Sequence, residues 1–145
     1  MERFEGLNES SRVWIYTSPG LFTPEEVKMI REELDIFTEN WAAHGSQLKA
    51  KGDVLENRYV VIVADETQTG ASGCSIDTSV QFIRALGNEL NLDLFNRMYF
   101  YGEDGSKIHF NDLSDSDLQV YNSLVSSLGE LRSKWLINAK ALIAI

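Results

Sequence analysis

The sequence predicts an α+β fold in which helices pack on one face of a largely antiparallel sheet. Two observations lead to it: apolar residues recur at helical spacing in separate segments, and short β-rich runs closed by turn signals lie between them. The resulting order, β-α-β-β-α-β-β-α, is typical of a two-layer α/β sandwich. Its first six elements follow the ferredoxin-like order βαββαβ, so a ferredoxin-like core with an added hairpin strand and a C-terminal helix is one candidate.

The length and composition suit a single globular unit. The chain has 145 residues, of which 43% are hydrophobic, and this is enough to form one sizeable core. The polar start of the chain predicts a flexible lead-in over residues 1–11. Residues 12–145 are expected to form a single α+β domain, because no repeat or linker interrupts them.

The first helix has the clearest signals. Thr23 is a suitable N-cap, Pro24 suits the first helical position and Glu26 completes a capping box. Gly45 is the expected end of this helix. The apolar stripe consists of Val27, Ile30, Leu34, Phe37 and Trp41.

Three strands are predicted in the first half of the chain. Residues 12–17 are rich in β-formers, and residues 47–55 form a short mixed strand. Glu56 and Asn57 then make a turn into residues 58–65. Because this last segment is apolar almost throughout, we expect it to be central or covered on both faces.

The second half of the chain predicts two more helices and a hairpin. A second amphipathic helix runs from about Ser75 to Leu90. Residues 97–110 read as a hairpin around an Asp-Gly turn. A third helix should start at Ser114 or Asp115, and the apolar C-terminal tail could add an edge strand. The third helix would carry Leu118, Tyr121, Val125 and Leu128 on one face and end near Gly129.

Charge and cysteine content exclude several classes of function. The net charge of −9 repels nucleic-acid phosphates and anionic lipid surfaces, so no nucleic-acid partner is expected. The longest apolar run, Tyr59 to Ala64, is too short to span a bilayer, so no membrane insertion is expected. A single cysteine cannot form an internal disulfide, and the N-terminus lacks the apolar core of a signal peptide. These features predict a soluble, acidic, cytoplasmic protein.

Three segments carry a family resemblance. They are FTENWAAHGSQLKA (residues 37–50), RYVVIVADET (residues 58–67) and GASGCSIDTSVQFI (residues 70–83). Together they resemble a family of small bacterial proteins that automatic labelling often calls "ABC transporter ATPase". The likeness covers roughly the first two thirds of the chain, and it implies no mechanism.

The ATPase label conflicts with the chemistry of nucleotide binding. A Walker A loop needs the pattern G-x-x-x-x-G-K-[ST], whose amides and lysine hold the phosphates. This chain has no Gly-Lys dipeptide. We therefore expect no ATPase activity, and the sequence assigns no cofactor.

The loop DETQTGASGCSID (residues 65–77) is the candidate site. If the second helix begins near Ser75, Cys74 lies at its positive end, which favours the thiolate. His44 could serve as its base, with Glu66 or Asp77 orienting the imidazole. The alternative is that Cys74 is a small packed residue.

The same loop could bind a ligand through its backbone. Amides around Ser72 and Gly73, together with Ser75 and Asp77, could hold an anion at the helix start. The alternative interpretation is capping, in which Ser75 and Asp77 only stabilise the first turn. His44, Glu66, Cys74 and Asp77 are suitable metal ligands by type, but their spacing matches no known metal motif, so no metal site is predicted.

Two functions remain open at the level of sequence. The first is a non-enzymatic binding or interaction domain with a protein or small-molecule partner. The alternative is a small enzyme with a site based on Cys74 and His44, or supported by a metal, at the start of the second helix.

Overall fold

The computed structural model describes residues 1–143 and confirms the α+β class. The helices are α1 (Pro24–Asn40), α2 (Gly73–Leu90) and α3 (Leu128–Ser133), with short 3-10 turns at Glu2–Phe4, Phe110–Asp115 and Ala139–Leu142. The strands are β1 (Arg12–Thr17), β2 (Ala42–Ala43), β3 (Ser46–Gln47), β4 (Lys49–Leu55), β5 (Tyr59–Asp65), β6 (Tyr99–Tyr101), β7 (Lys107–His109), β8 (Gln119–Tyr121) and β9 (Leu136–Asn138).

The central sheet is antiparallel and has the order β1-β5-β4. Every residue of β5 is buried, which confirms the prediction that this apolar strand is central and covered on both faces. The predicted turn between β4 and β5 is also present, because Glu56 and Asn57 adopt left-handed backbone angles that suit a tight hairpin.

Both faces of the sheet are covered, so the molecule has a third layer beyond the expected sandwich. Helices α1 and α2 pack on one face, where the buried side chains include Ile30, Leu34, Val60, Ile62, Ile83 and Leu86. The other face is covered by the N-terminal turn, α3 and the segment before β9, where the core includes Phe4, Leu7, Val61, Val63, Leu128 and Leu131.

The ferredoxin-like candidate is not formed. After α2 the chain makes a separate hairpin of β6 and β7, and within residues 1–143 no strand after α2 joins the central sheet. The outer edge of β1 is instead closed by an irregular segment. The Val13 amide donates to the Ser126 carbonyl (3.0 Å), and the Leu128 amide donates to the Ser11 carbonyl (2.9 Å).

Residues 1–11, which were expected to form a flexible lead-in, include side chains that pack against the sheet. Phe4 is fully buried and Leu7 is nearly so. Arg3 also donates from Nε to the Gly52 carbonyl on β4 (2.9 Å). The burial of these apolar side chains against the sheet outweighs the polar composition that predicted mobility.

Helix α1 begins as predicted but ends earlier. The capping box is present: the Glu26 amide donates to the Thr23 hydroxyl (3.1 Å) and the Thr23 amide to the Glu26 carboxylate (2.8 Å). The helix stops before Trp41, because residues 42–47 form the β2–β3 hairpin. His44 and Gly45 make its turn with φ of 52° and 77°, so Gly45 serves the hairpin and does not end the helix.

The predicted third helix over residues 114–128 is wrong. That stretch holds β8, and the short α3 begins only at Leu128, capped by Ser127. Local hydrogen bonds compete with the helix, because the Ser116 hydroxyl accepts from the Leu118 amide (3.1 Å) and the Asn122 side chain from the Leu124 amide (3.1 Å).

Two other predictions for the C-terminal half are confirmed. The hairpin forms between β6 and β7, with Gly105 in its turn at a φ of 85°. The tail contributes β9, which pairs with β8 in a small sheet of its own. The last two residues of the predicted tail, Ala144 and Ile145, lie outside the described residues.

Candidate functional site

The predicted loop has the expected place in the fold. It leaves the buried strand β5 at Asp65 and enters α2 at Gly73. Cys74 therefore lies in the first turn of α2, and it is exposed. The helix starts two residues earlier than expected because Ser72, rather than Ser75, is the N-cap: its hydroxyl accepts from the Ser75 amide (3.1 Å).

The polar groups of this loop have partners within the protein. The Glu66 carboxylate accepts from the Ala71 amide (2.7 Å). The Ser75 hydroxyl accepts from the Ser72 amide (2.7 Å), and the Asp77 carboxylate from the Gln81 side chain (2.9 Å). These bonds favour the capping interpretation of Ser72 and Ser75 over an anion site, whereas Asp77 lies beyond the first turn of α2 and pairs with Gln81 one turn further on.

His44 lies on the exposed β2–β3 turn. It follows Trp41 by three residues, and the Trp41 indole Nε1 donates to the Ser75 carbonyl at the start of α2 (2.8 Å). Among the described residues, however, no hydrogen bond joins His44 to Cys74 or Glu66, and no cluster of three or more His, Cys, Asp or Glu side chains is arranged to hold a metal. A catalytic role for Cys74, His44 and Glu66 stays a prediction.

Alkylation of Cys74 tests that role directly. We expect iodoacetamide to label the folded protein, since the residue is exposed. Because no hydrogen bond joins the two side chains, His44→Ala should change the labelling rate by less than about twofold. The rate is measured by mass spectrometry between pH 6 and 9. A slowing of about tenfold or more in the variant would instead support the catalytic pair.

Asp65 closes strand β5 and anchors the loop. Its carboxylate accepts from the Thr67 hydroxyl (2.6 Å), the Thr67 amide (3.0 Å) and the Asn8 amide (3.2 Å), and Lys49 lies 3.6 Å away. The Thr67 hydroxyl, and next the Thr67 amide, lower the pKa of Asp65 to about 2. This carboxylate therefore supports the loop and needs no ligand.

The low pKa of Asp65 predicts how the stability of the protein changes at low pH. A lowered carboxyl pKa stabilises the fold above the unfolded value of about 4, and the stabilisation is lost as the pH falls through about 2. Thr67→Val should cost about 1 kcal/mol at pH 7, and the difference from wild type should shrink as the pH falls from about 4 and approach zero below about pH 2. Urea unfolding at several pH values measures it, with Thr69→Val in the same loop as control. A cost independent of pH would contradict this account.

A groove of about 690 Å³ lies between α1 and α2, beside the predicted loop. Its floor is aromatic: Phe37 stacks on Phe82 with ring centroids 4.5 Å apart and contacts Trp41 at 5.3 Å. Ile36 on the rim is 63% exposed. The lining residues are Glu33, Ile36, Phe37, Asn40, Trp41, Ala42, Thr78, Phe82, Ala85, Leu86 and Glu89.

The two helices run antiparallel along the groove. The end of α1 meets the start of α2 through the bond from Trp41 to Ser75, whereas Glu33 in the middle of α1 contacts Glu89 at the end of α2. From Thr78 to Glu89 the groove follows α2 for about 16 Å at 1.5 Å per residue. Its volume is within the range of known binding sites.

Glu33 and Glu89 supply all the charge of the groove lining. Partial burial, and then the nearby Glu89 carboxylate with its hydrogen bond, raise the pKa of Glu33. An otherwise uncharged groove thus ends in two neighbouring carboxylates.

The groove was missed by sequence reasoning, although it adjoins the predicted site. Cys74 precedes Thr78 by one helical turn, so the two residues share a face of α2. A signal was present in Ile36 and Phe82, which are large apolar side chains beside the stripes that face the sheet. Each helix therefore has apolar side chains on the side that lines the groove as well as on the side that faces the sheet.

No helix in the part of the chain that the structure describes has the length and apolar character needed to cross a membrane. Comparison with protein-family models, curated proteins and solved structures found no match to this chain.

Proposed function

We propose that the protein is a non-enzymatic interaction domain whose α1–α2 groove binds an amphipathic helix of a partner protein. The observation that carries the proposal is the apolar surface formed by the exposed Ile36 and the half-buried, stacked rings of Phe37 and Phe82. Large apolar side chains that line one continuous groove commonly mark a binding surface.

The shape of the groove favours a helix over a small molecule. It is a long depression between two antiparallel helices rather than an enclosed cavity, and a third helix can lie along it with apolar anchors at i, i+3/i+4 and i+7. Its length of about 16 Å accommodates about three turns. A small ligand would leave much of its own surface in water.

The charge at the end of the groove disfavours a second copy of the same chain as occupant. A twofold interface places the same surface patch of both copies together. A second copy would bring its own Glu33 and Glu89 into the same apolar interface, so four carboxylates would lose water with no cation among the described residues of either groove lining, which is unfavourable.

The alternative proposal is a small enzyme with its site at Cys74. It draws support from the exposure of Cys74 and from its place one turn before Thr78 on the groove side of α2. The alkylation experiment decides whether His44 takes part.

Selection from a displayed library tests the interaction domain. The library consists of amphipathic helices of about 18 residues, long enough to fill the groove and extend past it, with randomised anchor positions and one randomised turn at each end. Selected peptides should bind wild type and lose at least about tenfold in affinity for Ile36→Glu.

Leu21→Glu is the matched control, because Leu21 is 66% exposed and lies outside the groove. It carries the same change of charge and should bind like wild type. Failure to enrich any peptide over an unrelated acidic protein would contradict the proposal. Equal affinity for wild type and Ile36→Glu would contradict it as well.

A further inference from the structure

Two glutamates without a cationic partner among residues 1–143 lie at one end of the groove, and they bear on the charge that a partner helix must carry there. Glu33 and Glu89 come from different helices and meet at one end of an otherwise uncharged groove. Neither forms an ion pair within the described part of the chain. The nearby cations are directed elsewhere: Arg31 binds Asp53 (2.8 Å), and the Arg84 guanidinium lies over Phe95 at 5.4 Å.

Covering this pair with a neutral helix is costly. The bound helix would remove water from two carboxylates without replacing the hydrogen bonds that water makes to them. A cation at the same place compensates both carboxylates, and an arginine can donate to each of them at once. In the free groove, partial burial and then the neighbouring Glu89 carboxylate raise the pKa of Glu33.

We propose that the partner helix carries a Lys or Arg in the turn that packs over Glu33 and Glu89, and that this residue sets the direction of the helix in the groove. The inference rests on the proposed function, because it specifies the charge and the direction of the same bound helix. With a single acidic end, only one direction of the helix pairs its basic turn while keeping its apolar anchors over Phe37 and Phe82.

The experiment uses the peptides selected from the same library. We expect Lys or Arg to be enriched in one terminal turn and not in the other. Replacing that residue by norleucine, which keeps the apolar stem without the charge, should weaken binding to wild type about tenfold. On the double variant Glu33→Gln, Glu89→Gln the same replacement should have less than about a twofold effect.

The control variant is Glu32→Gln, which removes an exposed charge from α1 outside the groove. It should leave the tenfold difference unchanged, and circular dichroism verifies the fold of each variant. The two proposals fail in different ways. If no peptide binds, the proposed function fails. If peptides bind in the groove without basic enrichment, or the norleucine effect persists in the double variant, only the acidic-pair inference is overturned.

Discussion

Phe4→Ala should lower the free energy of unfolding by about 3–5 kcal/mol, the usual cost of removing a fully buried phenylalanine. Phe4 is fully buried in the core on the face of the sheet opposite to α1 and α2. Its removal leaves a cavity between the N-terminal turn and the sheet. Urea denaturation measures the change, and the slope m should stay the same if the rest of the fold is intact.

Phe110→Ala is the control for Phe4→Ala. Phe110 is 43% exposed, so the same truncation there should cost less than about 1 kcal/mol. A cost for Phe4→Ala as small as that of Phe110→Ala would mean that residues 1–11 are the mobile lead-in that their composition suggests.

The elements that could be predicted from sequence are those whose signals are local. The capping box at Thr23, the apolar stripe of α1 from Val27 to Leu34 and the Asp-Gly turn before Ser106 each act over a few residues, and all of them hold in the structure. The packing of Phe4 could not be predicted in this way, because its partners Leu128 and Leu131 lie at the other end of the chain.

The third helix, which was predicted over residues 114–128 but is not formed there, shows that apolar residues at helical spacing do not by themselves determine the backbone conformation. Leu118, Tyr121, Val125 and Leu128 have helical spacing, yet Tyr121 lies in β8, Leu128 begins α3, and the other two lie in irregular segments. The spacing records only that these side chains face inward. The hydrogen bonds of Ser116 and Asn122, together with pairing to β9, determine the backbone.

The candidate site was only partly accessible to sequence reasoning. The start of α2 was located because a buried strand, small residues and a new apolar period follow one another there. The groove depends instead on how α1 and α2 sit relative to each other. Glu33 and Glu89 are distant in sequence and meet only because the helices are antiparallel.

Trp41→Ala should strongly reduce both the stability of the protein and the peptide affinity of the groove, because Trp41 is part of the core and also lines the groove. The side chain is 2% exposed, its ring lies edge-on to Trp14 at 5.7 Å, and its Nε1 donates to the Ser75 carbonyl (2.8 Å). We expect a loss of about 3–5 kcal/mol in the free energy of unfolding. At a temperature where the variant stays folded, peptide affinity for the groove should fall at least about tenfold.

Trp41→Phe distinguishes the contribution of aromatic packing from that of the hydrogen bond to the Ser75 carbonyl. It keeps an aromatic floor beside Phe37 but leaves the Ser75 carbonyl without its indole donor, so it should cost about 1–2 kcal/mol and change peptide affinity by less than about threefold. If Trp41→Phe destabilised the protein as much as Trp41→Ala, the hydrogen bond would outweigh the packing. The groove would then depend mainly on the link from the end of α1 to the first turn of α2.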